Sequence, residues 1–225
     1  MIGPERLSLS HDAALALLAE RALTLIAPGT HRRAVLGIAG GPGTGKSTLA
    51  QALLARLNQE APGLAALVPL DGFHMRQDKL VALGLADRKG AHETFEAEAF
   101  IATLAALREA RTEHTLPVYS RAIEDVVDDG LVVPASARLL IAEGNYLLMA
   151  TAPWWPILPL LDLAVHIDLP REAVARRLAI RHAEHGLFTP EQIARHIDSV
   201  DLPNYDRVNR CRGRAHLVIA LTPEG

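Results

Sequence analysis

Five mostly apolar runs, at 34–39, 65–70, 138–145, 163–168 and 215–220, divide the chain, and stretches of helical period lie between them. Apolar runs of this length without alternation are the mark of strands covered on both faces, as in a parallel sheet flanked by crossover helices. Ahead of the first run, Ser10-His11-Asp12 reads as a helix start, and Leu15, Leu18, Ala22 and Ile26 recur at helical spacing until Pro28-Gly29 ends the pattern. A second helix is predicted over 47–57. A third is capped by Thr94, with an acidic first turn at Glu96 and Glu98 and an inner face of Phe95, Ile101, Leu104 and Leu107. Pro170 and Thr189-Pro190-Glu191 open two more. Between these lies an extended piece, Pro117-Val118-Tyr119-Ser120-Arg121, followed by 122–127 and a turn at Asp128-Asp129-Gly130, which together predict a hairpin-like flap. The ensemble predicts an α/β fold, a doubly wound parallel sheet of five strands with helices on both faces.

Length and composition narrow the class. With 225 residues, 49% of them hydrophobic, the chain suits a single domain over 1–225, in which 1–30 forms an N-terminal packing helix. A net charge of −3 gives no reason to expect a nucleic-acid partner. The single cysteine, Cys211, excludes an intramolecular disulfide, and a cytoplasmic setting is expected. No secretory signal is expected at the N-terminus. The longest uncharged run, at 147–161, has 15 residues and three prolines, so no membrane span is expected. A homodimer is allowed for.

Chemistry concentrates at the ends of the apolar runs. Gly40-Gly41-Pro42-Gly43-Thr44-Gly45-Lys46-Ser47 matches the phosphate-binding loop G-x-x-x-x-G-K-[ST], between a predicted strand and a predicted helix as that motif requires. Unpaired amides at a helix N-terminus and the helix dipole make an anion site there. Gly41, Pro42, Gly43, Thr44, Gly45, Lys46, Ser47 and Thr48 are therefore the predicted nucleotide-phosphate contacts. Lys46 would reach the β- and γ-phosphates and the Ser47 hydroxyl would hold magnesium. Asp71 ends the second run and Glu143 the third, where open α/β sheets bind ligands. Glu143 would orient the metal or its waters. His74 and Asn145 follow these acids closely. Arg177 and Arg181, four apart on one helix face, repel unless an anion lies near them. His166 reads as a hydrogen-bonded core histidine, Trp154-Trp155 as packing residues, and Arg207, Arg210, Arg212 and Arg214 as a solvated loop. No Cys or His spacing typical of a metal centre occurs.

The phosphate loop, Leu70-Asp71-Gly72-Phe73-His74, Arg88-Lys89-Gly90, Pro117-Val118-Tyr119-Ser120-Arg121, Glu124-Asp125-Val126-Val127 and Ile141-Ala142-Glu143-Gly144-Asn145, in this order, resemble type I pantothenate kinases. They are also similar to uridine kinase, phosphoribulokinase and the small bacterial kinases labelled nucleoside/nucleotide or fructose-transport kinases. The resemblance implies a P-loop NTPase fold with a small lid at about 171–200, and magnesium-dependent transfer of the ATP γ-phosphoryl group to a small-molecule hydroxyl. It implies that Asp71 accepts the hydroxyl proton, that Tyr119 and Arg121 face the acceptor with His74 and Asn145 nearby, and that Arg177 and Arg181 belong to the lid. Pantothenate kinases carry His where this chain has Arg121, which points away from pantothenate. A nucleotide-binding regulator or slow ATPase is the alternative from another class.

Overall fold

Strand β2 (Ala34–Ala39) is buried at every position and forms the middle of the molecule. The computed structural model describes residues 3–26, 29, 32–120, 122–184 and 189–222. In chain order these form β1 (Glu5–Leu9), α1 (His11–Leu25), β2, α2 (Lys46–Glu60), β3 (Ala65–Pro69), α3 (Gln77–Ala82), α4 (Ala97–Glu109), β4 (His114–Ser120), β5 (Asp125–Val133), β6 (Leu139–Gly144), β7 (Leu163–Asp168), α5 (Arg171–Glu184), α6 (Pro190–His196), α7 (Leu202–Arg210) and β8 (Leu217–Leu221). Six strands make one parallel sheet in the order β1-β8-β7-β2-β6-β3. β4 and β5 pair antiparallel as a separate hairpin.

The period-2 pleat sorts the apolar runs into two cores. Leu36, Ile38, Leu139, Ile141, Val165, Ile167 and Ile219 face α1, α2 and α5. Val35, Val68, Leu140, Ala142, Ala164 and Val218 face α4, the hairpin and the segment around Trp154. Helices therefore cover both faces, as the uninterrupted apolar runs require. α1 begins where expected, with the Ser10 hydroxyl accepting from the Ala13 amide at 3.2 Å. Thr189 and Gln192 form a reciprocal capping box on α6. Pro28 and His31 lie outside the described residues.

Three local expectations are corrected. The sheet has six strands, not five: β1 pairs with β8 from Glu5↔Leu217 to Leu9↔Leu221, so 1–30 holds a strand as well as a helix. Glu-Arg-Leu-Ser-Leu places apolar side chains only at alternate positions, because an edge strand buries one face. Thr94 does not cap α4, whose N-cap is Glu96. Its buried hydroxyl instead accepts from the Gly90 amide at 3.0 Å and donates to the Ala91 carbonyl at 2.7 Å, tying off the preceding loop. The hairpin does not turn at Asp128–Gly130. Leu116 pairs with Leu131 and Val118 with Val127, so those three residues bulge opposite Pro117. Pro117 has no N–H to continue the ladder, and the bulge takes up the mismatch.

At the amino ends of the strands, polar groups are closed off. The buried Arg33 guanidinium donates to four carbonyls, of Leu107 (3.2 Å), Thr112 (3.1 Å), Pro134 (3.1 Å) and Ala137 (2.9 Å). Asp162 accepts from the Val35 amide at 2.8 Å and pairs with Arg108 at 2.6 Å.

Candidate active site

At the carboxyl ends of the same strands, backbone geometry creates an opening. Gly45 adopts φ 90°, the left-handed region that favours glycine, and is the N-cap of α2 with no side chain bonded across the cap. The first-turn amides of α2 thus have no side-chain cap and the dipole's positive end is uncovered. Thr44 is fully buried, and its hydroxyl donates to the Gly41 carbonyl at 2.8 Å, which braces the loop from within. Thr48 is exposed on the first turn.

Lys46 is buried to 8% exposure, yet among the described residues its ammonium forms no hydrogen bond or ion pair. Beside it the Ser47 hydroxyl donates to Glu143 Oε1, at the end of β6. Glu143 is buried on the α2 side of the sheet, in register with Leu139 and Ile141, which is why the end of β6 reaches the start of α2. A hydroxyl and a carboxylate brought together are hard oxygen donors of the kind magnesium takes.

Asp71 lies in a 3-10 turn, Leu70–Phe73, directly after β3. A Cβ on Gly72 would lie 2.1 Å from the Pro117 carbonyl oxygen, so only glycine lets this turn press against β4. That approach brings the Asp71 turn to the hairpin. His74 then packs between two rings, at centroid distances of 4.0 Å from Phe95 and 4.7 Å from Tyr119. Its Nδ1–H donates to the Asp71 carbonyl at 2.8 Å, leaving Nε2 as an acceptor. Burial holds the His74 pKa below the ordinary histidine value, so the ring is neutral at pH 7. Tyr119 donates to Glu124 at 3.0 Å, and Lys89 Nζ stands 5.3 Å over its ring. Burial, with Glu124 beside it, pushes the Tyr119 pKa well up, so it remains a phenol and a donor. Lys89 also donates to the Glu124 carbonyl. Its neighbour Gly90 is held through its carbonyl by Tyr146 at 2.6 Å and Asn204 at 3.2 Å.

These groups share one cleft of about 830 Å³, lined by Lys46 and Pro42 of the loop, by Asp71, His74, Tyr119 and Asn145, and by Arg181 from α5. Asn145 Oδ1 is buried there with no hydrogen-bond partner among the described residues. Arg177 is not at the cleft wall: it is exposed, and a Cβ on Gly45 would lie 3.4 Å from its Nη1, so it flanks the phosphate loop from outside. Arg121 lies outside the described residues.

Several cleft residues escaped the sequence reading: Lys89, Phe95 and Glu124, and, from the far wall, His182, Gln192, Arg195, His196, Asp201 and Asn204. Lys89 carried a signal, since it stands inside the Arg-Lys-Gly segment of the resemblance. Most of the far wall falls in the lid that the resemblance implies at about 171–200, but nothing in the sequence singles out these side chains. His182, His196 and Asp201 are scattered along the sequence, yet one ligand atom from each lies within 4.8 Å of the others. The absence of a metal-type spacing in the sequence is no guide here, because the three meet only through packing.

Other expectations resolve outside the cleft. His166 is fully buried and bonded through Nε2 to Asn209 at 2.9 Å, a core histidine whose pKa burial lowers. Trp154 is fully buried against Tyr146 and Phe95, and Trp155 is exposed. Arg207 and Arg210 lie on α7 rather than in the expected loop, Arg212 pairs with Asp168 at 3.5 Å, Arg214 donates to the Leu148 carbonyl at 2.7 Å, and none of the four lines the cleft. No helix among the described residues is long and apolar enough to cross a membrane.

The model of the Phosphoribulokinase / Uridine kinase family matches residues 35–225. "Putative uridine kinase C227.14" of Schizosaccharomyces pombe is 35% identical over 188 residues, covering 80% of this chain and 79% of that protein. YggC of Escherichia coli is 35% identical over 217 residues, 96% of this chain and 87% of its own. Among solved structures, a "putative fructose transport system kinase" from Silicibacter sp. TM1040 superposes with a TM-score of 0.82 at 34% identity, over 91% of this chain and 98% of its own.

Proposed function

The chain belongs to the phosphoribulokinase and uridine kinase family, and from that premise we propose that it transfers the γ-phosphoryl group of ATP, with magnesium, to a hydroxyl of a small molecule: a nucleoside, a sugar or a pantothenate-like alcohol. One observation carries the reading: Lys46 of the phosphate loop and Asp71, Tyr119 and Asn145 line a single cleft. Donor phosphate and acceptor alcohol thus meet in one place.

The residues fit the nucleotide and its metal. The α2 amides, which no side chain of the N-cap Gly45 closes off, suit phosphate oxygens, and Ser47 with Glu143 suits magnesium. When bound, magnesium neutralises charge on the phosphoryl oxygens. Lys46 does the same from the loop, and among the described residues no carboxylate pairs with its ammonium in place of the phosphates. Asp71 takes the proton of the acceptor hydroxyl as that oxygen bonds to the γ-phosphorus, the bond to the β–γ bridging oxygen breaks, and ADP departs. Tyr119, held as a phenol, and neutral His74 orient the acceptor; Asn145 Oδ1 accepts a hydrogen bond from it. Arg121 belongs to this acceptor set through the family resemblance. α5 and α6 act as the lid, with Arg181 facing inward and Arg177 guarding the loop.

A panel of nucleosides, sugars, polyols and pantothenate, read by ADP release, tests this. One or more members should stimulate ADP release, and Asp71→Asn should lower turnover on that compound by about 10²–10⁴-fold while ATP still binds. A flat panel favours a nucleotide-binding regulator, and full activity of Asp71→Asn removes the general base.

A further inference from the structure

The far wall of the cleft holds three groups whose approach the kinase chemistry does not explain. His182 lies on α5, His196 ends α6, and Asp201 closes the π-helical turn Ile197–Asp201. His196 and Asp201 are five residues apart. At about 100° per residue, an α-helix would turn them roughly 140° from each other. A π-helix closes its hydrogen bonds from i to i+5 and turns less per residue than an α-helix, which narrows that angle and swings Asp201 toward the face of His196. The rare turn is what brings the carboxylate to the histidine.

The two histidines converge on one oxygen. His182 Nε2 is 2.9 Å from Asp201 Oδ2, and His196 Nε2 is 4.0 Å from the same atom. The first contact is a hydrogen bond and the second is too long for one. Zinc ligands at about 2.0–2.2 Å in tetrahedral array leave neighbouring donor atoms roughly 3.3–3.6 Å apart, and the observed pair brackets that spacing. The rings stand at 84°, with centroids 5.4 Å apart, so they do not stack on each other. The side chains of His182 and Asp201 are 16% and 10% exposed and that of His196 is 40%, so the site is shielded from water on two of its three sides.

We propose that His182, His196 and Asp201 form a site for one divalent transition-metal ion of the zinc class. Two imidazoles and one carboxylate are a borderline-soft donor set, which selects zinc, cobalt or nickel and discriminates against magnesium. Three protein ligands leave a fourth position open, and all three line the cleft. The ion ties α5 to α6 and to the start of α7, and so holds the far wall together. The site is separate from Ser47 and Glu143 and needs no nucleotide.

Titration of the chelator-stripped full chain with Zn²⁺ by calorimetry, and with Co²⁺ by visible absorption, tests the site without magnesium or nucleotide. One equivalent should bind with micromolar or tighter affinity, and Co²⁺ should give the intense bands of a four-coordinate ion. His182→Ala and His196→Ala should each weaken binding about 100-fold or more, beyond the loss seen for outer-shell partners. Should His182→Ala fail to fold by circular dichroism, His196→Gln, at a part-exposed side chain, carries the comparison alone. Glu143→Gln should leave the titration unchanged. Absence of binding to the native chain, binding that survives loss of His196, or binding lost in Glu143→Gln each overturns the proposal. Since no nucleotide is present, these outcomes are independent of the acceptor panel.

Discussion

The two ends of the central sheet treat buried polar groups in opposite ways. At the amino end, Arg33 spends its guanidinium on four carbonyls, and Asp162 is shared among the Val35 amide, Arg108 and Arg32. At the carboxyl end, Lys46 is nearly as buried but has no partner among the described residues, and Asn145 Oδ1 is buried and unpaired. An unsatisfied buried polar group costs free energy, so the amino end is built for stability, and on the proposed function the carboxyl end holds groups that a ligand completes. Both cations are buried. Only their partners tell structure from function.

Substitution should separate the two ends. Lys46→Ala should lower kcat/KM for phosphoryl transfer by about 10³–10⁵-fold, the scale of a cation that stabilises this transition state, while the thermal midpoint stays close to that of the native chain. Comparable ATP turnover would dissolve the contrast from the catalytic side. Arg33→Met should do the reverse, costing about 3–5 kcal/mol in urea unfolding because carbonyls are left unpaired in the interior, with turnover per folded molecule preserved. A smaller effect is expected at the hairpin: Tyr119→Phe keeps the ring and removes a hydrogen bond worth about 0.5–1.5 kcal/mol, so KM for the acceptor should rise several-fold at nearly constant KM for ATP. An unchanged acceptor KM would take Tyr119 out of the acceptor wall.

The smallest effect concerns pH. His74 and His166 both have folded-state pKa values depressed by burial. Above the unfolded value of about 6.5 both states are neutral and pH has no effect through these groups. Below it the unfolded chain takes up protons that the folded chain resists, so stability falls with pH, by at most about 1.4 kcal/mol per pH unit for each histidine. His166→Gln should flatten the slope of unfolding free energy between pH 6.5 and 5; an unaltered slope would mean that this core histidine titrates normally.

How much of this was legible follows from which interactions are local. β2 and β7 have the bounds read from their apolar runs, and the loop between β2 and α2 stands where its glycines and lysine require. These features depend on burial pattern and backbone freedom, which the order of residues carries directly. The half-apolar edge strand β1, the loop-tying role of Thr94 and the bulge opposite Pro117 are not legible in the sequence. Each depends on a partner that sequence spacing does not show: β8, the Gly90 amide, and the register of β4 against β5.

The candidate site divides along the same line. Lys46, Ser47, Asp71 and Glu143 could be named from their places at strand ends, since a parallel sheet delivers such ends to one edge. That Arg181 lines the cleft while Arg177 flanks the loop was not legible, although the two sit one helical turn apart. Nor was the meeting of His182, His196 and Asp201, which a π-helical turn and the packing of α5 on α6 produce. By itself the sequence determined the buried sheet, its phosphate loop and the acids at its edge, because periodicity and glycine placement are properties of the chain. Only the tertiary structure decided what faces that edge from across the cleft, because side chains distant in sequence acquire a common direction only when the elements carrying them pack.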